Sequence, residues 1–212
     1  YAGWRRPDGT CDKAYLTGLS ITYLAALDRL IELEKLAGRP EQAQKYAALR
    51  ASAKNGLSQL TTDEGYFIRS LDPDGTRHGV YGAERHGYFE ASPNHDAIAF
   101  RIAEEAQAEK IYQKIASLSG LRPHDFILPN FPSYDDMYEK PEGLWGYGTW
   151  VNGGHWSTCE ARMLLGYYRL GKFDDARRSM KRLLGFAEKF RMDNPLVKFG
   201  SDVYQPKQPV NL

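Results

Sequence analysis

Two glycine-centred junctions, each set between runs of helical period, constrain this chain more than any other feature. From Ala14 to Ala37 apolar residues return at Leu16, Leu19, Tyr23, Leu27, Leu30 and Ile31, which is the spacing of one helix face. Gly38 and Pro40 end that run, and a second helix is predicted from about Pro40 to Leu60, with Ala43, Tyr46, Ala47 and Leu57 among its apolar positions. Gly171-Lys172 divides a further pair of runs in the same way, one from about His155 to Leu170 and one from Phe173 to Phe190. The junctions share a pattern, Gly38-Arg39-Pro40-Glu41-Gln42-Ala43 and Gly171-Lys172-Phe173-Asp174-Asp175-Ala176, in which Gly closes one helix and an acidic first turn suits the dipole of the next. Links this short make neighbouring helices antiparallel, so each pair reads as a helical hairpin. The junctions lie 171 − 38 = 133 residues apart with irregular insertions between them, whereas a tetratricopeptide-type solenoid would recur every ~34 residues.

Between these pairs the period changes. Gly65 to Leu71 reads as a strand, and Asp72-Pro73-Asp74-Gly75 as a tight turn into a second extended stretch, giving a small β-hairpin excursion. Helical period returns after Pro93, with Ile98, Ile102 and Ala106 expected in one helix and Ile111, Ile115 and Leu118 in the next. Their junction, near Glu105 to Ala108, lacks the glycine. Residues 120–154 form a long Pro-, Tyr- and Gly-rich stretch without period, and loops of this length in compact domains are usually functional. The reading is all-α, about three helical hairpins in one domain spanning 1–212.

Composition narrows the partners. Lys and Arg total 28 against 27 for Asp and Glu, so no overall field draws the chain to nucleic acid or to an anionic membrane. No apolar run approaches the roughly 18 residues of a membrane span. Tyr1 to Asp12 do not read as a signal peptide, and a start at Tyr1 without Met reads as a processed or truncated chain, so cytoplasmic, periplasmic and secreted locations stay equally open. Cys11 and Cys159 are too few for a disulfide framework or a zinc site and read as free thiols. No His or carboxylate pair has the helical spacing of metal ligands, and no phosphate-cradling glycine loop is present, so neither metal nor cofactor is expected. The 14 Tyr and 4 Trp gather in segments with Gly and Asn; flat faces beside polar edges suit sugars, although ordinary core aromatics would account for the composition equally.

The order of these pieces resembles the six-hairpin glycosidase superfamily, the (α/α)6 toroids that include trehalases, processing α-glucosidases and several disaccharide phosphorylases. The resemblance runs along nearly the whole chain: Gly3-Trp4 and Asp12 before a long helix, the Gly-x-x-x-x-Ala hairpin, and Asp63-Glu64-Gly65-Tyr66-Phe67 with Leu71-Asp72-Pro73-Asp74-Gly75. Ser92-Pro93-Asn94-His95-Asp96-Ala97, Trp150-Val151-Asn152-Gly153-Gly154-His155-Trp156 and the Arg-Leu-Gly-Lys hairpin complete it. It implies a partial toroid, the C-terminal portion of a larger catalytic domain, whose remainder would be a partner.

Glycoside cleavage needs one carboxyl group to protonate the leaving oxygen and a second to activate water or attack the anomeric carbon. By resemblance the acid lies shortly after Gly-Trp; Asp8 and Asp12 are nearest, although Arg5 stands where the relatives place Asp directly after Trp. Asp8 also fits an ordinary turn aspartate and Asp12 a helix N-cap. The opposite carboxylate precedes a Tyr after the last hairpin, which points to Asp202 and Tyr204 in Gly200-Ser201-Asp202-Val203-Tyr204, with Asp where Glu is more usual. Substrate contacts are expected from Trp4, Tyr88, Glu90, Asn94 and His95, and from Trp145, Tyr147, Trp150, Asn152, His155 and Trp156, because glycines admit a ligand close to the backbone while Trp stacks and Asn and His bind hydroxyls. Tyr134, Asp135 and Asp136 could line a further wall, and Glu160, one turn into the helix after His155, reads as a buried structural carboxylate before a catalytic one. His95 also fits a hydrogen-bonding or capping role. A glycoside hydrolase is the first reading; a non-catalytic helical glycan- or protein-binding module and a disaccharide phosphorylase stay open beside it. The sugar, its linkage, retention or inversion, and the oligomeric state are not written in these residues.

Overall fold

The computed structural model describes residues 4–5, 11–123, 126–136, 146–148, 151–190 and 210–211, with the backbone alone at 4–5, 11–12, 155, 189–190 and 210–211. Among the described residues six α-helices form three pairs: α1 (Thr17–Leu36) with α2 (Pro40–Leu57), α3 (Ala91–Ala99) with α4 (Glu105–Ser117), and α5 (Ser157–Arg169) with α6 (Phe173–Phe190). The long second run thus ends as α-helix at Leu57, and Ser58–Leu60 tighten into a 3-10 turn. Pairs join through their first helices, α1 packing on α3 and α3 on α5.

Both glycine junctions form as their composition requires. Gly38 and Gly171 each take φ +69, and in each case two amides turn back onto the last helical carbonyls: Gly38 to Lys35 and Arg39 to Glu34, Gly171 to Tyr168 and Lys172 to Tyr167. The middle pair departs from expectation. Ile98, Ile102 and Ala106 do not share a helix: α3 stops at Ala99, Ile102 lies in the link, and Ala106 begins α4. The same double turn-back closes α3, Arg101 to Ile98 and Ile102 to Ala97, but the left-handed residue is Arg101 at φ 59. Pro93 falls inside the first turn of α3, where no N–H is needed for the helix ladder, so the helix starts ahead of it.

Short strands lead into every first helix. β1 (Trp4–Arg5) pairs with β2 (Cys11–Asp12); β3 (Tyr15–Leu16), just before α1, joins β4 (Ser70–Leu71), which turns through Asp72–Gly75 into β5 (Arg77–His78). The expected hairpin exists, although only its last two residues before the turn are laddered. β6 (Phe89–Glu90) precedes α3 and pairs with β7 (Asn130–Phe131), while β8 (His155–Trp156) precedes α5 and pairs in parallel with β9 (Val210–Asn211).

Packing fixes the direction of the helices. Ser92 faces Cys159, Arg162 donates to Asp96 at 2.9 Å, and Gly166 abuts Ile98, so α3 and α5 advance in step. Thr17 at the start of α1 donates to the carbonyls of Ile68 and Arg69, and Asn94 near the start of α3 binds Phe67. The N-terminal ends of α1, α3 and α5 therefore lie at one end of the arc, and the strands and long loops gather there. α3 is the axis: eight of its nine residues are buried. Ile21, Leu24, Ile98, Ile111 and Met163 meet around it with Tyr66, Phe67 and Phe89. Burying a side chain of this size contributes roughly 1.5–3 kcal/mol before ordering entropy is subtracted.

Candidate active site

Arg69, one residue before β4, organises the loop end of the arc. Its side chain is 12% exposed, and Nη1 donates to Asp136 Oδ1 at 3.0 Å and to the Tyr88 hydroxyl at 3.1 Å, with Nε 3.8 Å from Glu90 Oε2. The guanidinium lies 4.6 Å from the centre of the Tyr134 ring, and Tyr134 meets Tyr88 edge to face. Residues from before α3 (Tyr88, Glu90) and from after β7 (Tyr134, Asp136) thus converge on one cation.

The two carboxyl groups around it differ. Packing around Glu90 pushes its carboxyl up and the Asp136 charge adds to this, against the pull of Arg69 and of a hydrogen bond with Tyr134. Burial works the same way on Asp136, but His78, Arg69 and the Tyr88 hydroxyl, which donates at 2.6 Å, outweigh it and hold that carboxyl below the usual range. Glu90 is also the accessible one, with its side chain 20% exposed against 1% for Asp136. The site therefore sets a carboxyl whose proton affinity is raised beside one whose proton affinity is lowered, with the arginine between them. His78 stands behind Asp136, Nδ1 at 2.6 Å from its Oδ2 and Nε2 at 2.9 Å from Asp72 Oδ2; burial disfavours its charge, yet the two carboxylates raise it.

Other expected contact residues sit deeper. Asn94 is fully buried; its Oδ1 accepts from the Phe67 N–H and its Nδ2 donates to the Phe67 and Glu90 carbonyls, so it acts as a partner strand for Phe67. His95 is fully buried, with Nδ1 3.1 Å from Asp96 Oδ1. Asn152 accepts at Oδ1 from Asn130 Nδ2 and from the Tyr134 N–H, both at 3.1 Å, while Asn130 accepts from the Gly153 N–H at 2.7 Å. This pair of asparagines ties the turn before α5 to the segment carrying Tyr134 and Asp136. Tyr147 is 41% exposed and its ring lies over Gly153, where a Cβ would come within 2.6 Å of it. Trp156 is half-buried against the core. Glu160 is fully buried, accepting from Arg122 at 2.6 Å, the Ile127 amide at 2.9 Å and Ser179 at 2.6 Å, a structural role as its place one turn into the helix suggests.

The backbone at Trp4 and Asp12 is paired, and Asp12 lies shortly before β3, at the same end as the glycine-rich turn. His155 is likewise placed by its backbone, in β8. Asp8, Trp145, Trp150, Asp202 and Tyr204 lie outside the described residues. Sequence reasoning passed over Arg69, Asp72, His78 and Asn130 as site residues. Nothing in their local spacing marks them: Arg69, Asp72 and His78 meet through the pairing of β4 with β5, and Asn130 reaches the turn before α5 from β7, which pairs with β6.

No family model matches the sequence, and no curated protein matches it. Solved structures do match. The GH63 mannosylglycerate hydrolase from Thermus thermophilus, in complex with Tris, has TM-score 0.60 at 16% identity over 84% of this chain and 38% of its own. Its complex with glucose gives 0.59 at 16% over 83% and 40%. An uncharacterised conserved protein from the same organism gives 0.59 at 15% over 83% and 40%. At these identities the likeness is one of fold, and the chain spans 38–40% of the length of these neighbours.

Proposed function

We propose that this chain, whose helical hairpins have the fold of a partial six-hairpin glycosidase toroid, carries part of the active site of a glycoside hydrolase. One observation carries the reading: the ends of α1, α3 and α5 that are entered from short strands bring Glu90 with its raised carboxyl, exposed Tyr147 and the backbone of Asp12 to the same side of the molecule, while Tyr88 and Tyr134, expected as walls of the site, are buried beneath it around Arg69. The exposed face of Tyr147 on the same side as the polar groups of Glu90 and Arg69 suits the mixed C–H and hydroxyl surface of a pyranose.

Within this reading Asp12, or Asp8 beside it, protonates the leaving oxygen, and Asp202 activates water from the opposite face of the ring. Glu90 and Arg69 bind sugar hydroxyls between them. Asp136 acts through Arg69 and does not itself reach the substrate.

The test is turnover on a panel of disaccharides and aryl glycosides, read as released reducing sugar with and without inorganic phosphate. Asp202→Asn and Asp12→Asn should each lower kcat by at least ~10³-fold and leave the sugar affinity within a few-fold. Unchanged turnover in both variants would remove the paired carboxylates from the mechanism. Cleavage that requires phosphate would instead favour a phosphorylase, and saturable sugar binding with no cleavage in the unmodified chain a binding module.

A further inference from the structure

Behind the arginine site, three separate segments bring metal-ligating atoms together. His78 at the end of β5, His86 in the loop before β6 and Asp136 after β7 each offer one such atom, all within 4.8 Å of one another. His78 Nδ1 lies 2.6 Å and His86 Nδ1 3.7 Å from the same oxygen, Asp136 Oδ2. Ligands of a tetrahedral zinc ion at about 2.0–2.1 Å stand roughly 3.3 Å apart, between those two separations, so the ion would be satisfied once His78 and Asp136 part slightly and the His86 ring turns out of its stack on His78 to bring both imidazole planes onto the ion.

The surroundings are built as a ligand shell requires. The outer nitrogen of His78, Nε2, faces Asp72 Oδ2 at 2.9 Å, the carboxylate partner that fixes the tautomer of a metal-bound imidazole. Arg69 on Oδ1 and the Tyr88 hydroxyl on Oδ2 orient the Asp136 carboxylate. The His86 ring stacks on His78 with centroids 4.0 Å apart, and His86 holds φ 57, a left-handed conformation uncommon outside glycine. Two buried oxygens on this rim, Asp72 Oδ1 and Ser70 Oγ, have no hydrogen-bond partner among the described residues. Ser70 is 1% exposed and sits opposite His78 in the β4–β5 pair, hence on its face of the sheet. Among the described residues three carboxylates, those of Asp72, Asp135 and Asp136, contact the two imidazoles, and Arg69 contacts one of the three.

We propose that His78, His86 and Asp136 form a binding site for a divalent late transition ion of the zinc type, with solvent as the fourth ligand. Imidazole and carboxylate donors suit such an ion, whereas Mg²⁺ and Ca²⁺ prefer oxygen ligands throughout. Binding replaces the Nδ1 protons, which leave to solvent, and exchanges the His78–Asp136 hydrogen bond for two bonds to the ion. His86 also gives up its 3.0 Å contact with Asp135 Oδ1. The ion would clamp β5, the loop to β6 and the segment after β7, and so hold Asp136 beneath Arg69. This site stands or falls independently of glycosidase activity.

The full chain, stripped with a chelator, is titrated with Zn²⁺ by calorimetry and with Co²⁺ by visible absorption, and its thermal unfolding is followed with and without Zn²⁺. One ion per chain is expected, with a Co²⁺ spectrum of tetrahedral intensity and a Tm raised by Zn²⁺. His86→Asn keeps a residue that tolerates positive φ and should weaken binding at least ~100-fold and remove the Tm response; Asp72→Asn, outside the ligand set, should weaken it about 10- to 100-fold. Cys11→Ser should leave it unchanged. Absence of saturable binding, binding unaltered in His86→Asn, loss of binding in Cys11→Ser, or a response to Mg²⁺ or Ca²⁺ alone would each overturn the assignment.

Discussion

Glu90 and Asp136 flank one guanidinium, yet their protonation moves in opposite directions because their other neighbours differ. Asp136 has His78 and a tyrosine hydroxyl to offset its burial, whereas among the described residues Glu90 is offset by Arg69 and Tyr134. A carboxyl held above its ordinary value of 4.5 makes the folded state bind the proton more tightly than the unfolded chain. The contribution of Glu90 is therefore most favourable below that value, and stability is lost as pH rises through the elevated folded value. Glu90→Gln should remove this dependence: denaturant midpoints of variant and parent, compared from acid to neutral pH, should diverge in favour of the variant as pH rises. Parallel curves would show that Glu90 titrates normally. Asn94 offers a second test at this scale, since truncation strips both the N–H and the C=O of buried Phe67 of their partner. Asn94→Ala should destabilise by about 2–6 kcal/mol in urea unfolding, the range for two buried backbone groups left unsatisfied.

Among the elements, the three hairpins show how one backbone solution is reached from different residues. Gly38 and Gly171 take the left-handed closing position without a side-chain clash, and their composition made those turns legible in advance. Arg101 takes the same position at φ 59, where a Cβ crowds the following carbonyl, so no glycine marked the end of α3 and the period of Ile98, Ile102 and Ala106 misled. Arg101→Gly should stabilise the chain by about 0.5–1 kcal/mol, offset in part by the added entropy of Gly in the unfolded state, and should raise Tm by a few degrees in a thermal melt. A lower Tm would mean that the arginine makes up its strain through contacts of its own. The strands before α1, α3 and α5 are two residues long, too short for an alternating pattern to reveal; their hydrogen bonds come from partners far along the chain.

Across the whole molecule, α1 is apolar on two sides. Ile21, Leu24 and Leu27 face the core, while Tyr15 and Leu19, 65% and 68% exposed, continue through Tyr23, Leu30 and Leu33 as a second stripe at helical spacing. The run that reads as one amphipathic face is thus divided: Leu27 is buried and Leu19, Tyr23 and Leu30 are not. A helix with two apolar faces suits a position between two neighbours, and among the described residues α1 packs chiefly on α2 and α3. An uncovered stripe of this kind should make the chain self-associate. Leu19→Glu combined with Tyr23→Lys should shift sedimentation towards the monomer and change Tm little, since neither side chain is in the core; a large fall in Tm would show that the stripe is covered.

The sequence by itself determined the helical hairpins, their glycine closures, the β-turn at Asp72–Gly75 and the segments rich in functional side chains, because periodicity and turn chemistry are local and need no distant partner. Tyr88 and Glu90, and Tyr134 and Asp136, were each legible as chemically suited walls. Only the tertiary structure decided that these walls meet on Arg69, that Asn94 and Asn152 serve the backbone, and that two histidines and an aspartate from three segments share a volume small enough for one ion. Burial and partnership between residues far apart in the chain arise when α3 is enclosed by its neighbours, and no local spacing encodes them.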